Sequence, residues 1–258
     1  MDPFTIGARI SALTGGAETR GQNTMTIVEQ QVLRPFERVT LNSYRDIHKG
    51  IRAELFAVTG AAGTLDPHDR AGRADLARHV RSVVDLLVSH AEHEDAVVQP
   101  VLEAQLPALA AQIAIDHPHI EAQIEEIRDL AVATVDAPDA DLRDDVFRVY
   151  MELASFTSVY LAHQDFEERE VMPALERAVG VDEVIALNRE IVGSIPPNEM
   201  MRTLPLMLTA MNLDDRAEVL GGIQAEAPPE VFAGVWNLTR SVLTRGDTRA
   251  LAQRLGIS

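Results

Sequence analysis

Apolar residues recur along this chain in steps of three and four, the spacing of one face of an α-helix. A first stripe passes through Leu41, Tyr44, Ile51, Leu55 and Val58 and stops at Asp66-Pro67-His68-Asp69. A second carries Leu76, Val80, Val83, Leu87, Val97 and Val101, with Pro100 near its end and Pro107 opening the next element. The third holds Ala110, Ile113, Ile120, Ile124, Ile127 and Ala131 and ends at Asp136-Ala137-Pro138-Asp139; the fourth runs through Val146, Val149, Leu153, Phe156, Tyr160 and Val171 to Gly180. Strand-like alternation is rare and aromatic residues make up only 4% of the chain. The pattern predicts an all-α protein: an up-down four-helix bundle over residues 26–180, followed by an appended C-terminal helical unit over 181–258.

Within that C-terminal unit, Pro196-Pro197, Asn212 to Asp215 and Pro228-Pro229 mark off three or four short helices, each opened by a cap or a first-turn proline. Its methionines, Met200, Met201, Met207 and Met211, are expected to fill core gaps rather than to bind copper. Residues 1–25 are glycine-rich and polar, without the apolar core of a signal peptide, and read as a flexible leader or tag, with Met25 as a candidate native start.

Charge narrows the partners. The chain has 40 acidic and 23 basic residues, a formal charge of -17, and no basic stripe, so a nucleic-acid partner is not expected. No apolar run reaches the roughly 20 residues needed to cross a bilayer, so no membrane partner is expected either. The chain has no cysteine, which excludes disulfides, iron–sulfur clusters and a thiolate nucleophile, fits a reducing compartment and leads to the expectation of a cytoplasmic protein. A homodimer is an expectation from the general habit of acidic bundles and from no particular residue.

Each of the four stripes is interrupted by a histidine in register with it. His48 falls between Tyr44 and Ile51; His90 and Glu94 continue the second stripe; His117 falls between Ile113 and Ile120; His163 and Glu167 continue the fourth. Residues four apart share a helix face with Cβ atoms about 5–6 Å from each other, so each His-x-x-x-Glu pair can ligate from a single helix. A buried carboxylate without a partner is costly, and metal coordination is one escape from that cost. One histidine on an apolar stripe is commonly a satisfied core residue; four helices making the same exception predict a metal centre. Nitrogen and oxygen donors without sulfur suit iron, manganese or zinc. Two carboxylates from opposite helices suit a bridged pair of ions.

These residues resemble the hemerythrin-like family with its HHE cation-binding domain. That family's pattern is a histidine on helix one, His-x-x-x-Glu on helix two, a histidine on helix three and His-x-x-x-Glu on helix four. Here it reads as His48, His90-Ala-Glu-His-Glu94, His117 and His163-Gln-Asp-Phe-Glu167. The resemblance covers roughly residues 26–180, and the stretches from His93 to Pro100 and from Glu170 to Pro173 are similar to the family's as well. It implies two non-haem irons bridged by Glu94 and Glu167, with manganese or zinc ranked behind. It also implies binding or turnover of a small oxygen or nitrogen species: dioxygen, peroxide or nitric oxide. A metal- or oxygen-state sensor signalling through the C-terminal helices, and a di-iron oxygenase acting on an organic substrate, are the alternatives. Whether the protein is an enzyme, peroxide-decomposing or oxygen-activating, stays open, and no catalytic residue is assigned beyond the metal site.

The chain departs from the oxygen-carrying hemerythrins at two positions. Glu121 stands where those proteins have a second histidine four residues after the one on helix three, and Glu168 stands behind Glu167 where they have an aspartate. The first departure argues against simple oxygen carriage and makes Glu121 either an additional ligand or a carboxylate outside the ligand set. Tyr44 and Tyr160, one turn before ligand histidines, are either core aromatics or hydrogen-bond donors to a guest at the centre. His68, His79, His93 and His119 stay outside the predicted ligand set, with His93 the nearest reserve. Pro118, directly after His117, removes one helix hydrogen bond and either tunes the reach of that histidine or is a tolerated irregularity.

Overall fold

A computed structural model describes residues 36–257. The leader expected over residues 1–25 lies outside them. All regular elements among the described residues are helices: α1 (Arg45–Thr64), α2 (Arg70–Val97), α3 (Gln99–Gln105), α4 (Pro107–Ala133), α5 (Leu142–Phe166), α6 (Met172–Val179), α7 (Val181–Ser194), α8 (Pro197–Ala210), α9 (Leu213–Glu226), α10 (Pro229–Val242) and α11 (Arg245–Leu255). No helix among the described residues is long and apolar enough to cross a membrane.

The four stripes become the buried faces of α1, α2, α4 and α5. Ile51, Leu55 and Val58 of α1, Val80, Val83 and Leu87 of α2, Ile124 and Ala131 of α4, and Leu153 and Phe156 of α5 form one apolar cluster. Ile51, Leu55, Ile124 and Leu153 are fully buried, which is worth about 1.5–3 kcal/mol for each such side chain. A second cluster lies further along the same helices and gathers Tyr44, Val97, Leu102, Ile113, Val171 and Leu175 together with Val184 and Leu187 of α7. Along the sequence, α1 and α4 pass from the second cluster to the first, whereas α2 and α5 pass from the first to the second. All six predicted ligands fall between the two clusters, as a polar layer with apolar packing on both sides.

Two helices end differently from the sequence expectation. The second stripe does not run unbroken to Val101: α2 ends at Val97 and α3 starts at Gln99, with Pro100 in its first turn, where the missing N–H removes no intrahelical bond. The fourth stripe contains a wide, π-helical turn over Glu167–Val171, closed by the Met172 N–H donating to the Glu167 carbonyl. Pro173 follows immediately; it lacks the N–H that residue 169 would need as a donor, and its ring crowds that carbonyl. α4, by contrast, continues through Pro118.

Beyond Gly180, whose φ of +85° suits a residue without a Cβ, there are five helices rather than the expected three or four. Pro197 and Pro229 open α8 and α10 in their first turns; Asn212 caps α9 by accepting from the Asp214 and Asp215 N–H groups, and Thr244 caps α11 by accepting from Asp247. Leu204, Leu208, Met211, Leu220 and Leu251 form their own core, against which Met200 and Met207 pack, while Met201 is half exposed. α8 lies along α1. A Cβ on the buried Gly50 would stand 3.3 Å from the Met207 backbone nitrogen, so a glycine permits this close approach of two helix backbones.

Candidate metal centre

The polar layer brings the six predicted residues together in two groups, His48 with His90 and Glu94, and His117 with His163 and Glu167. Their positions follow from the helix period. Each occupies the buried stripe of its helix one turn from an apolar neighbour, and all are buried except His90, which is nearly so. In every case the imidazole Nε2 faces the carboxylates. Glu94 Oε1 stands 3.2 Å from His90 Nε2, and its Oε2 stands 3.6 Å from His117 Nε2. Glu167 Oε1 stands 3.1 Å from His163 Nε2 and 3.8 Å from His117 Nε2, while its Oε2 stands 3.4 Å from His48 Nε2. Each glutamate therefore extends one oxygen to each group.

These contacts are close without being hydrogen bonds. Glu94 Oε1, both oxygens of Glu167 and His117 Nε2 are buried and have no hydrogen-bond partner. Such groups normally find partners, because leaving one unpaired costs about 1–3 kcal/mol. A cation satisfies all of them at once. Nitrogen and oxygen donors bind first-row cations at about 2.0–2.2 Å, so two donors on one ion at near-tetrahedral or near-octahedral angles lie about 2.8–3.6 Å apart. The His48 Nε2 to His90 Nε2 separation of 3.2 Å falls in that range, as do the separations within each His-x-x-x-Glu pair. The donor set fits a pair of ions.

Three of the outer ring nitrogens face carboxylates. His48 Nδ1 lies 3.0 Å from Glu168 Oε1, and the Arg52 guanidinium holds the same carboxylate at 2.8 and 3.1 Å. His117 Nδ1 lies 2.8 Å from Asp95 Oδ1, and His163 Nδ1 lies 3.6 Å from Asp116. Ionised carboxylates only accept, so His48 and His117 carry their proton on Nδ1 and keep the Nε2 lone pair for the centre. Sequence reasoning did not give Asp95, Asp116 or Arg52 a role, and noted Glu168 only as a departure. The signal was the acidic residue beside Glu94 and beside Glu167, which supplies an outer acceptor to His117 and to His48. The wide turn at Glu167 lets two successive glutamates serve the same site, Glu167 from inside and Glu168 through His48.

Electrostatics without a cation are strained. Burial pushes the Glu94 carboxyl well up, and nearby Glu167 pushes it further; Glu167 is also penalised by burial, but the surrounding His163, His117 and His48 hold it well below the usual range. Burial takes His90 down to about 3, with His48 adding to the effect. His117 is raised, because the approach of Glu167 and Asp95 outweighs its desolvation.

Tyr44 is buried and stacks on His48 with centroids 5.1 Å apart; Tyr160 meets His163 edge-on at 5.8 Å. Burial, reinforced by both glutamates, raises each phenol well above its ordinary value, so each keeps its proton. Glu121 is exposed and belongs to neither group, although it borders a gap of about 20 Å³ shared with His90, Glu94, His117, Tyr160 and His163. That volume holds about one water-sized molecule. His93 joins Ser89, Ser194 and Glu199 instead of the centre, and His79 contacts Glu54.

Helices throughout the described residues, enclosing a buried layer of imidazoles and carboxylates that could hold a metal ion, are the features of a cation-binding class of helical protein. The sequence model of the hemerythrin HHE cation-binding domain matches residues 39–175, more than half of the 258 residues, and the chain belongs to that family. Domains of this family bind metal ions. No curated protein and no solved structure matches the chain.

Proposed function

We propose that His48, His90, Glu94, His117, His163 and Glu167 hold two iron ions in an up-down four-helix bundle of α1, α2, α4 and α5, and that this centre binds or turns over a small oxygen or nitrogen species. The alternating passage of these helices between the two apolar clusters supports the bundle topology. The observation that carries the metal reading is the span of Glu94 and Glu167, each with one oxygen on either histidine group. Two reduced irons held by these residues would supply redox-active positions for dioxygen, peroxide or nitric oxide. The protein's own contribution is to fix the imidazoles through Glu168 and Asp95, to keep both tyrosines protonated, and to limit the guest at the histidine side to a gap of about 20 Å³. Four imidazoles against two carboxylates favour ligand binding and peroxide chemistry over attack on C–H bonds. The test is to load the chain with iron, reduce it and add dioxygen, peroxide or nitric oxide while recording optical spectra. The proposal expects a spectral change with at least one of them, abolished by His90→Ala; iron that is bound but inert to all three contradicts it.

A second reading is favoured by the attachment of α8. Its backbone meets Gly50, two residues from His48, and its Glu199 meets His93, one residue from Glu94. Metal state would then be relayed to the C-terminal helices. Hydrogen exchange across α8 that differs between metal-loaded and metal-free protein supports this sensor reading, and equal exchange removes it.

A further inference from the structure

A cavity of about 710 Å³ lies between α1, α2 and the C-terminal helices α7, α8 and α9, and its lining includes His90 and Glu94, which also border the small gap. That volume is in the usual range for sites that take an organic molecule. Its walls are mostly apolar, with Ile47, Leu86, Leu187, Ile191, Met207 and Ile223 contributing from five helices.

Polar groups occur at two places. Inside, Glu199 accepts from the Ser89 hydroxyl and faces His93 Nε2 at 2.9 Å, while Ser194 holds His93 Nδ1 at 3.0 Å. Burial alone would raise the Glu199 carboxyl, but Ser89, His93 and Arg202 outweigh it and hold the group ionised. At the rim, Arg45 pairs with Glu218 at 3.0 Å and Arg189 with Glu226 at 3.3 Å, so both lining arginines are already matched. Apart from Glu94, the lining holds four carboxylates, Asp46, Glu199, Glu218 and Glu226, against those two cations. An anionic guest meets net repulsion and no free cation, and an apolar uncharged one meets a wall suited to it.

We propose that this cavity binds an uncharged, mainly apolar organic molecule, which reaches down to His90 and Glu94. The site stands apart from the oxygen or nitrogen chemistry proposed above, because occupancy can be read whether or not iron is present.

Gly222 offers a clean probe. It lines the cavity from α9 at an exposed position, and a Cβ there meets no heavy atom within 4 Å, so Gly222→Trp introduces its ring from open space at the cavity wall and replaces a poor helix former. Gly60 on α1 has the same freedom but does not line the cavity, and Gly60→Trp serves as the control. The full chain, with and without iron, is titrated with the uncharged dye N-phenyl-1-naphthylamine and with its anionic sulfonate analogue, with the helical content of each variant checked by circular dichroism. The proposal expects saturable binding of about one uncharged dye per chain, weaker binding of the anionic one, and a loss of about ten-fold or more in Gly222→Trp alone. Equal binding in all three proteins, a preference for the anionic dye, or no saturable binding to the native chain overturns it.

Discussion

Glu168 on the wide turn after α5 accepts the Nδ1 proton of His48 on α1 at 3.0 Å, and Arg52 clamps the carboxylate from the same helix as the histidine. The pairing fixes both ring orientation and tautomer, which leaves Nε2 directed at His90 and Glu167. Asp95 does the same for His117.

Glu168→Gln and Asp95→Asn are therefore expected to weaken metal binding by about 10–100-fold while leaving the fold intact, the usual cost of losing the outer partner of a ligand histidine. Competition with a chelator of known affinity measures the change. A variant that melts earlier yet binds metal as tightly as the parent would assign these residues to packing alone.

Glu94 sets two states of the protein against each other. Without metal its buried carboxyl is desolvated and repelled by Glu167, so Glu94→Gln is expected to stabilise the metal-free form by about 1–3 kcal/mol. With metal, the same change removes a ligand oxygen, and the order of stabilities reverses. Urea unfolding of both proteins in both states should show the two curves exchange places.

The Glu199 carboxylate ties α8 to Ser89 and His93 of α2. Its folded pKa lies below the ordinary value of 4.5, so the unfolded chain takes up this proton first as pH falls. The interaction contributes stability above pH 4.5 and loses it as pH drops through the lowered folded value. Glu199→Gln should thus be less stable than the parent near neutrality, with the difference vanishing toward acid in unfolding curves recorded across that range. A constant difference at all pH values would exclude the carboxylate charge as its cause.

Gly50 has the backbone of α8 3.3–3.5 Å from where its Cβ would be, with no flexible side chain to move aside. Gly50→Val is expected to cost about 1–3 kcal/mol and to raise hydrogen exchange in α8 more than in α4. Unchanged exchange in α8 would show that the two helices separate without penalty.

The grouping of His48, His90, Glu94, His117, His163 and Glu167 in one polar layer was legible because helical periodicity reports which residues share a face, and these six break their stripes without leaving them. Gly180 was legible as a stop for the same kind of local reason. The acceptors Asp95 and Glu168 were not, since the outer nitrogen each meets depends on how neighbouring helices are rotated. The wide turn at Glu167 had only Pro173 as its trace. The close approach at Gly50 depends on α8 lying against it, and the large cavity exists only through the docking of α7, α8 and α9.

The most direct measurement is the metal content per chain of the purified protein and of Glu94→Gln and Glu167→Gln. A bridged pair predicts about two irons in the parent and a joint loss from each single variant, because either glutamate serves both histidine groups. One ion per chain, or two that survive both substitutions, would contradict the bridge, and no bound metal would contradict the centre itself.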